Sequence, residues 1–168
     1  PESNLEDRLP EMLSERPYKN IIVLTPSNNI TNIKNLPTNE QHQLALETPL
    51  ETIAIVEKAL KDYPSIQKAV IVELPPRADC SRLAELTEFA NFALKGAAEK
   101  SRYNKQISIA TLETLYDFSN DQIYGSSSST WYDGIHLHGK YGRKAYTDSI
   151  LTAIRSAGLC KTSTTSSS

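Results

Sequence analysis

Short apolar runs alternate with longer amphipathic segments along this chain. Residues 5–16 are charged, yet Leu5, Leu9, Met12 and Leu13 fall on one helical stripe, which Pro10 interrupts, so a short or kinked helix is expected. Residues 20–25 (NIIVLT) are a continuous β-branched and apolar run, the pattern of a strand covered on both faces of a parallel sheet. A polar, Asn-rich stretch from Pro26 to about Glu47 lacks periodicity and predicts a long loop. Thr48-Pro49-Leu50-Glu51 then reads as a helix start. Thr48 can cap, Pro49 suits a first position whose N–H has no partner, and Glu51 completes a capping box. Leu50, Ile53, Ala54, Glu57 and Leu60 continue at helical spacing until Pro64.

Residues 68–74 (KAVIVEL) predict a second buried strand, stopped by Pro75-Pro76. Asp79 can cap the next helix, whose stripe is Leu83, Leu86, Ala90, Ala93, Leu94 and Ala97. Residues 106–112 (QISIATL) predict a third strand, and a Gly-Ser loop from Gly125 to Thr130 leads into Trp131 and Tyr132. A last helix is expected from about Lys140 to Ala157, with Tyr146, Ile150, Ile154 and Ala157 on one face and Gly158 as its stop. Strands alternating with crossover-length helices imply an α/β fold with a parallel sheet in three layers. Sites in such sheets lie beyond the carboxyl ends of the strands. The loops after Thr25, Leu74 and Leu112 are therefore where chemistry is expected.

Composition adds bounds rather than a function. At 168 residues the chain reads as one domain over 1–159, long enough to bury a core, followed by a Ser/Thr-rich tail at 160–168 with nothing apolar to bury, expected to be disordered. The net charge of −2 is spread without a Lys/Arg cluster, which argues against direct nucleic-acid binding. No apolar run reaches the length of a membrane span and no signal peptide precedes the first helix, so no membrane role is expected. Cys80 and Cys160 are compatible with a disulfide or with two free thiols. Taking them as free thiols favours an intracellular, cytoplasmic compartment.

Asp133 and His136 are the leading chemical candidates. A hydrolytic site needs an imidazole to take a proton from a hydroxyl and a carboxylate to fix the imidazole tautomer. A D-x-x-H turn supplies both from one segment, although the same spacing also arises in ordinary surface turns. Asn28, just after the first strand, suits either an Asx-turn or an oxyanion donor. Arg77, after two prolines, could hold an acidic substrate, but a surface ion pair is the simpler account. His138 stands beside His136 without a Cys or carboxylate cluster to complete a metal site, so no metal or cofactor is expected. His42 reads as a solvated loop residue, and Trp131 and Tyr132 either wall a cleft or pack beneath their loop. Asn29-Ile30-Thr31 forms a glycosylation sequon that has meaning only in a secreted protein. Ser126 to Ser129 form a flexible Gly-Ser loop, which offers a nucleophile no rigid support.

Taken in order, four segments resemble the SGNH (GDSL-like) hydrolase superfamily. Tyr132-Asp133-Gly134-Ile135-His136-Leu137-His138, with Gly139, Gly142 and a closing helix, is similar to that family's last block. Leu24-Thr25-Pro26-Ser27-Asn28-Asn29 resembles its third block, with Asn28 on the oxyanion asparagine, Pro26 in place of a Gly and Asn29 in place of an Asp. Leu74-Pro75-Pro76-Arg77-Ala78-Asp79 resembles an L-x-P-R-x-D segment, and Asn91-Phe92-Ala93-Leu94 an N-x-x-L segment. The resemblance spans about residues 5–158. It implies a flavodoxin-like α/β/α sandwich and serine-esterase chemistry on carboxylic esters, with His136 as general base, Asp133 orienting it and Asn28 stabilising the oxyanion.

The family's first block, a G-D-S whose serine is the nucleophile, has no counterpart here. The resemblance places it, and the second-block Gly, before residue 1. The chain would then supply strands 3, 4 and 5 of a sheet ordered 2-1-3-4-5, leaving residues 20–25 as a bare edge. Such an edge is expected to pair with a missing N-terminal segment, a partner chain or a second copy. The reading from another class is a non-catalytic binding or assembly module, in the manner of SGNH-like domains associated with mobile elements.

Overall fold

The computed structural model describes residues 5–26, 33, 35–77, 81–112 and 139–159. Among them the order is α1 (Leu5–Glu15), β1 (Asn20–Leu24), α2 (Thr38–Asp62), β2 (Lys68–Val72), α3 (Ser81–Lys100), β3 (Ile107–Ala110) and α4 (Gly139–Ser156). The fold is α/β, built on a three-stranded parallel sheet in the order β1-β2-β3. Each strand starts and stops within about two residues of its apolar run, because the run is what the core covers.

One face of the sheet carries most of the core. Ile21 and Val23 of β1, Ala69 and Ile71 of β2 and Ile107 of β3 pack with α1 through Leu9 and Leu13, α2 through Ile53, Val56 and Leu60, and α3 through Leu94 and Ala98. On the opposite face Val70 and Val72 of β2, with Ala110 and Leu112, pack against Ala153, Tyr146 and Ile150 of α4. A third cluster of Ile33, Ala45, Leu74, Leu83, Leu86 and Ala90 joins the first halves of α2 and α3. Those halves follow directly on loops leaving the sheet, so this cluster stands at the carboxyl end of the strands.

Helix α2 departs from expectation. The apolar stripe predicts a start at Thr48, whereas the helix begins at Thr38 and passes through Pro49 without a break. Its first bond runs from Gln41 N–H to the Pro37 carbonyl at 3.0 Å. The buried face continues upstream as Gln41, Ala45 and Thr48, spaced like a helix but polar or small. Hydropathy alone therefore hides it. Pro49 cannot donate to Ala45, yet Thr52 Oγ1 donates to the Thr48 carbonyl at 2.8 Å and ties the turn around the proline.

Strand β1 is the second departure. Its apolar run predicts cover on both faces, but burial alternates along it, with Ile21 and Val23 buried and Ile22 and Leu24 at 48% and 52% exposure. The cause is position. β1 is an edge strand and α4 lies over β2 and β3, so nothing among the described residues covers the second face of β1.

Burial against this core raises the pKa of the Tyr146 phenol above its ordinary 10.0, because the charged form loses hydration. The folded chain thus holds this proton more tightly than the unfolded chain. The resulting stability is intact below about pH 10 and is lost as pH rises through the folded pKa. Chemical denaturation between about pH 9 and 11 should show a steeper stability loss in the native chain than in Tyr146→Phe. Equal slopes would place the phenol in water.

Candidate functional site

The carboxyl ends of the three strands are pinned by side chains that the hydropathy pattern does not announce. Thr25, immediately after β1, is buried and bonds twice to the Val72 carbonyl, through its N–H at 3.1 Å and its hydroxyl at 2.7 Å. Beyond β2, the Glu73 N–H donates to Ala110 at 3.0 Å. The Glu73 carboxylate, only 4% exposed, accepts the Leu112 N–H at 2.7 Å on Oε1 and faces the Lys95 ammonium at 3.5 Å on Oε2. One buried carboxylate thereby locks the exit of β3 to the exit of β2. Its charge is offset by a cation and by a backbone donor, the condition under which a buried carboxylate is tolerated.

Leu74 is held differently. Asn91 of α3 accepts the Leu74 N–H on Oδ1 at 2.8 Å and donates from Nδ2 to the Leu74 carbonyl at 3.0 Å. The side-chain amide acts as a substitute strand where β2 has run out of neighbours, so both backbone groups can be buried. Farther out, Arg82 Nε donates to Gln41 Oε1 at 2.9 Å, and Arg82 Nη1 bonds Glu85 at 3.1 Å. Gln41 is buried, so this contact fixes the first turn of α2 against the first turn of α3. Arg77, expected in a surface ion pair, is instead buried at 8% exposure where the chain turns from β2 toward α3. His42, expected in a solvated loop, sits in α2 with Nδ1 3.0 Å from the Thr38 carbonyl and its ring edge-on to Phe89 at 5.0 Å.

Asn28, Asp133 and His136 lie outside the described residues. So do Ser27, the run Ser126–Ser129, Trp131, Tyr132, His138, Asp79, Cys80, Cys160 and the tail at 160–168. What the structure supplies is the ground on which such residues would stand. Thr25 and Pro26 lead directly to Asn28 from the carboxyl end of β1, and Leu112 opens the segment that carries Asp133 and His136 to α4. Both departure points lie at the carboxyl edge of the sheet, on either side of the central strand, where Thr25 bonds to Val72 and Leu112 to Glu73.

Among the described residues no group of three or more His, Cys, Asp and Glu could hold a metal ion, and no helix is long and apolar enough to cross a membrane. Glu73, Asn91 and the Gln41–Arg82 pair are the polar residues that sequence reasoning missed as builders of this edge. The available signal was positional: Asn91 lies four residues after Thr87 and three before Leu94, on the buried stripe of its helix. Comparison with family profiles, with curated proteins and with solved structures returns no match to this chain.

Proposed function

We propose that this chain is an SGNH-type esterase module that works with a nucleophilic serine from outside these 168 residues. His136 serves as general base, Asp133 holds its tautomer, and Asn28 donates to the oxyanion of the tetrahedral intermediate. The serine hydroxyl attacks the ester carbonyl, its proton passes to His136, and the alkoxide leaves with that proton. Water then repeats the cycle on the acyl-enzyme.

The observation that carries this reading is the bare first strand. β1 is the edge of a parallel sheet with Ile22 and Leu24 exposed, while β2 is buried on both faces and β3 is buried or half-buried along its length. A parallel sheet is ordinarily covered throughout, and an apolar edge invites another strand. In the SGNH arrangement the strand that belongs there is the one bearing the nucleophile. The D-x-x-H segment and Asn28 then converge on the same carboxyl edge from either side of it.

The 168-residue chain alone should turn over p-nitrophenyl acetate no faster than buffer, and a fluorophosphonate should label none of its serines. Restored to a protein that carries the strand beside β1, one serine outside residues 1–168 should become labelled. His136→Ala should then cut hydrolysis by about 10²–10⁴-fold. Labelling of Ser27 or of any of Ser126–Ser129 in the isolated chain would overturn the reading. The lack of a G-D-S in the sequence also favours a second reading, a binding or assembly module that has lost catalysis. That reading gains if no serine labels in the restored protein.

A further inference from the structure

A groove between α1 and α2 is used by neither reading. It encloses about 340 Å³ over an apolar floor of Leu9 and Pro10 from α1 and Ala54, Ile55 and Ala59 from α2. Both bordering helices are described along their whole lengths. Ala54 is exposed, and Leu50, one turn before it, is 51% exposed, so the apolar strip continues past the end of the groove. The groove follows the second half of α2, away from the carboxyl edge of the sheet that the first half borders.

The rim of this groove is rich in acceptors and short of donors. Glu6, Glu51 and Asp62 line it, with Lys58 the single cation beside them. Among the described residues none of these four side chains takes part in an ion pair or a hydrogen bond. The lining carries a net charge of −2, equal to that of the whole chain, so the charges elsewhere balance. Pro10 adds a further acceptor, since it has no N–H to offer the Glu6 carbonyl four residues before it. The Tyr63 hydroxyl, also at the wall, is already given to the Pro10 carbonyl at 3.3 Å. Glu51, Ala54, Ile55, Lys58 and Asp62 recur at helical spacing along about 16 Å of α2, the length of about three helical turns. The chain itself brings little to meet this surface. Outside the described residues it has two lysines, Lys34 and Lys161, and no arginine. Helix α4 is basic, but it packs on the opposite face of the sheet from α1 and α2.

We propose that the α1–α2 groove receives a basic amphipathic helix of a partner protein. The apolar stripe of that helix lies on Leu9, Ala54 and Ile55, where the small Ala54 lets the backbones approach closely. Lys or Arg side chains about three turns apart reach Glu51 and Asp62, and another donates to the carboxylate and carbonyl of Glu6. An acidic residue between them meets Lys58. An amphipathic helix laid into a groove through anchors at i, i+3 or i+4 and i+7 is a recurring mode of recognition. Opposite charges along the rim steer the encounter and fix its register. This inference does not depend on the esterase reading.

The test is selection, on the full 168-residue chain, of a display library of helical peptides of about 18 residues randomised on one face, long enough to hold a helix. Amide chemical shifts then map where a selected peptide binds. Glu51→Lys with Asp62→Lys reverses the rim, and Ala54→Trp fills the floor, all from exposed positions. Glu88→Lys with Glu99→Lys makes the same charge change at the same spacing on α3 and serves as the control. Circular dichroism and thermal melting establish that the variants fold. The expected peptides carry Lys or Arg flanking an apolar stripe and shift the amides of Leu9, Ala54 and Tyr63. They bind each groove variant at least about tenfold more weakly and the control within about twofold of the native chain. No enrichment, enrichment of acidic or uncharged sequences, shifts that map elsewhere, or an equal loss in the control overturns the proposal. Affinity unmoved in both folded groove variants does the same. A concentration-dependent dimer of the chain that Glu51→Lys with Asp62→Lys dissolves also overturns it, by assigning the groove to a second copy.

Discussion

Replacing Asn91 with alanine is expected to destabilise the chain by about 2–4 kcal/mol, because two buried backbone groups of Leu74 lose their only described partners together. Asn91 is 4% exposed and Leu74 1%, so water reaches neither group without opening the core. For a chain of this length the loss corresponds to a fall in melting temperature of about 4–16 °C. Hydrogen exchange should report the same event locally, with the Leu74 amide the most accelerated in the sheet. A loss under about 1 kcal/mol would show that the clip is replaceable and that β2 ends before Leu74 matters.

The second large effect is expected at Glu73. Glu73→Ala leaves the Leu112 N–H without its acceptor and frees Lys95, at a cost of about 2–3 kcal/mol. Most of that cost lies in the hydrogen bond, since Lys95 is 44% exposed and can return to water. Glu73→Gln separates the two terms. It keeps an acceptor for Leu112 while removing the charge, and should cost about 1 kcal/mol. Equal losses in the two variants, read by urea denaturation, would assign the stability to the ion pair instead. Glu73→Ala should also accelerate amide exchange at Leu112, where the chain leaves β3.

These two residues mark where the sequence was legible and where it was not. Apolar periodicity located every described strand and the helices α1, α3 and α4 to within a few residues, since each buries a contiguous apolar stripe. It placed the start of α2 ten residues late, because Gln41 and Thr48 are buried with their polar atoms bonded and look like loop residues in a hydropathy pattern. The run Ile21–Leu24 predicted two covered faces, and only one is covered; composition of a strand records what it can bury, not what is present to bury it. Asn91 and Glu73 hold the carboxyl edge through hydrogen bonds to backbone groups, which depend on which strand ends lie side by side. Beyond the place of Asn91 on the buried stripe of its helix, no local pattern encodes that. The candidate catalytic residues Asn28, Asp133 and His136 lie outside the described residues, and they rest on the acid–base chemistry of a D-x-x-H turn and on motif resemblance.

The most direct measurement of the central claim is therefore the spatial relation of Asn28 to the Asp133–His136 pair, by nuclear Overhauser contacts in the isotopically labelled chain. The account predicts contacts between the Asn28 side-chain amide and the His136 ring. It also predicts a His136 Nδ1 proton shifted downfield by its bond to Asp133 and returned to the solvent-exchanging range in Asp133→Ala. Asn28 and His136 at opposite ends of the sheet, or an imidazole indifferent to Asp133, would contradict the SGNH-type site and the fold assignment that goes with it.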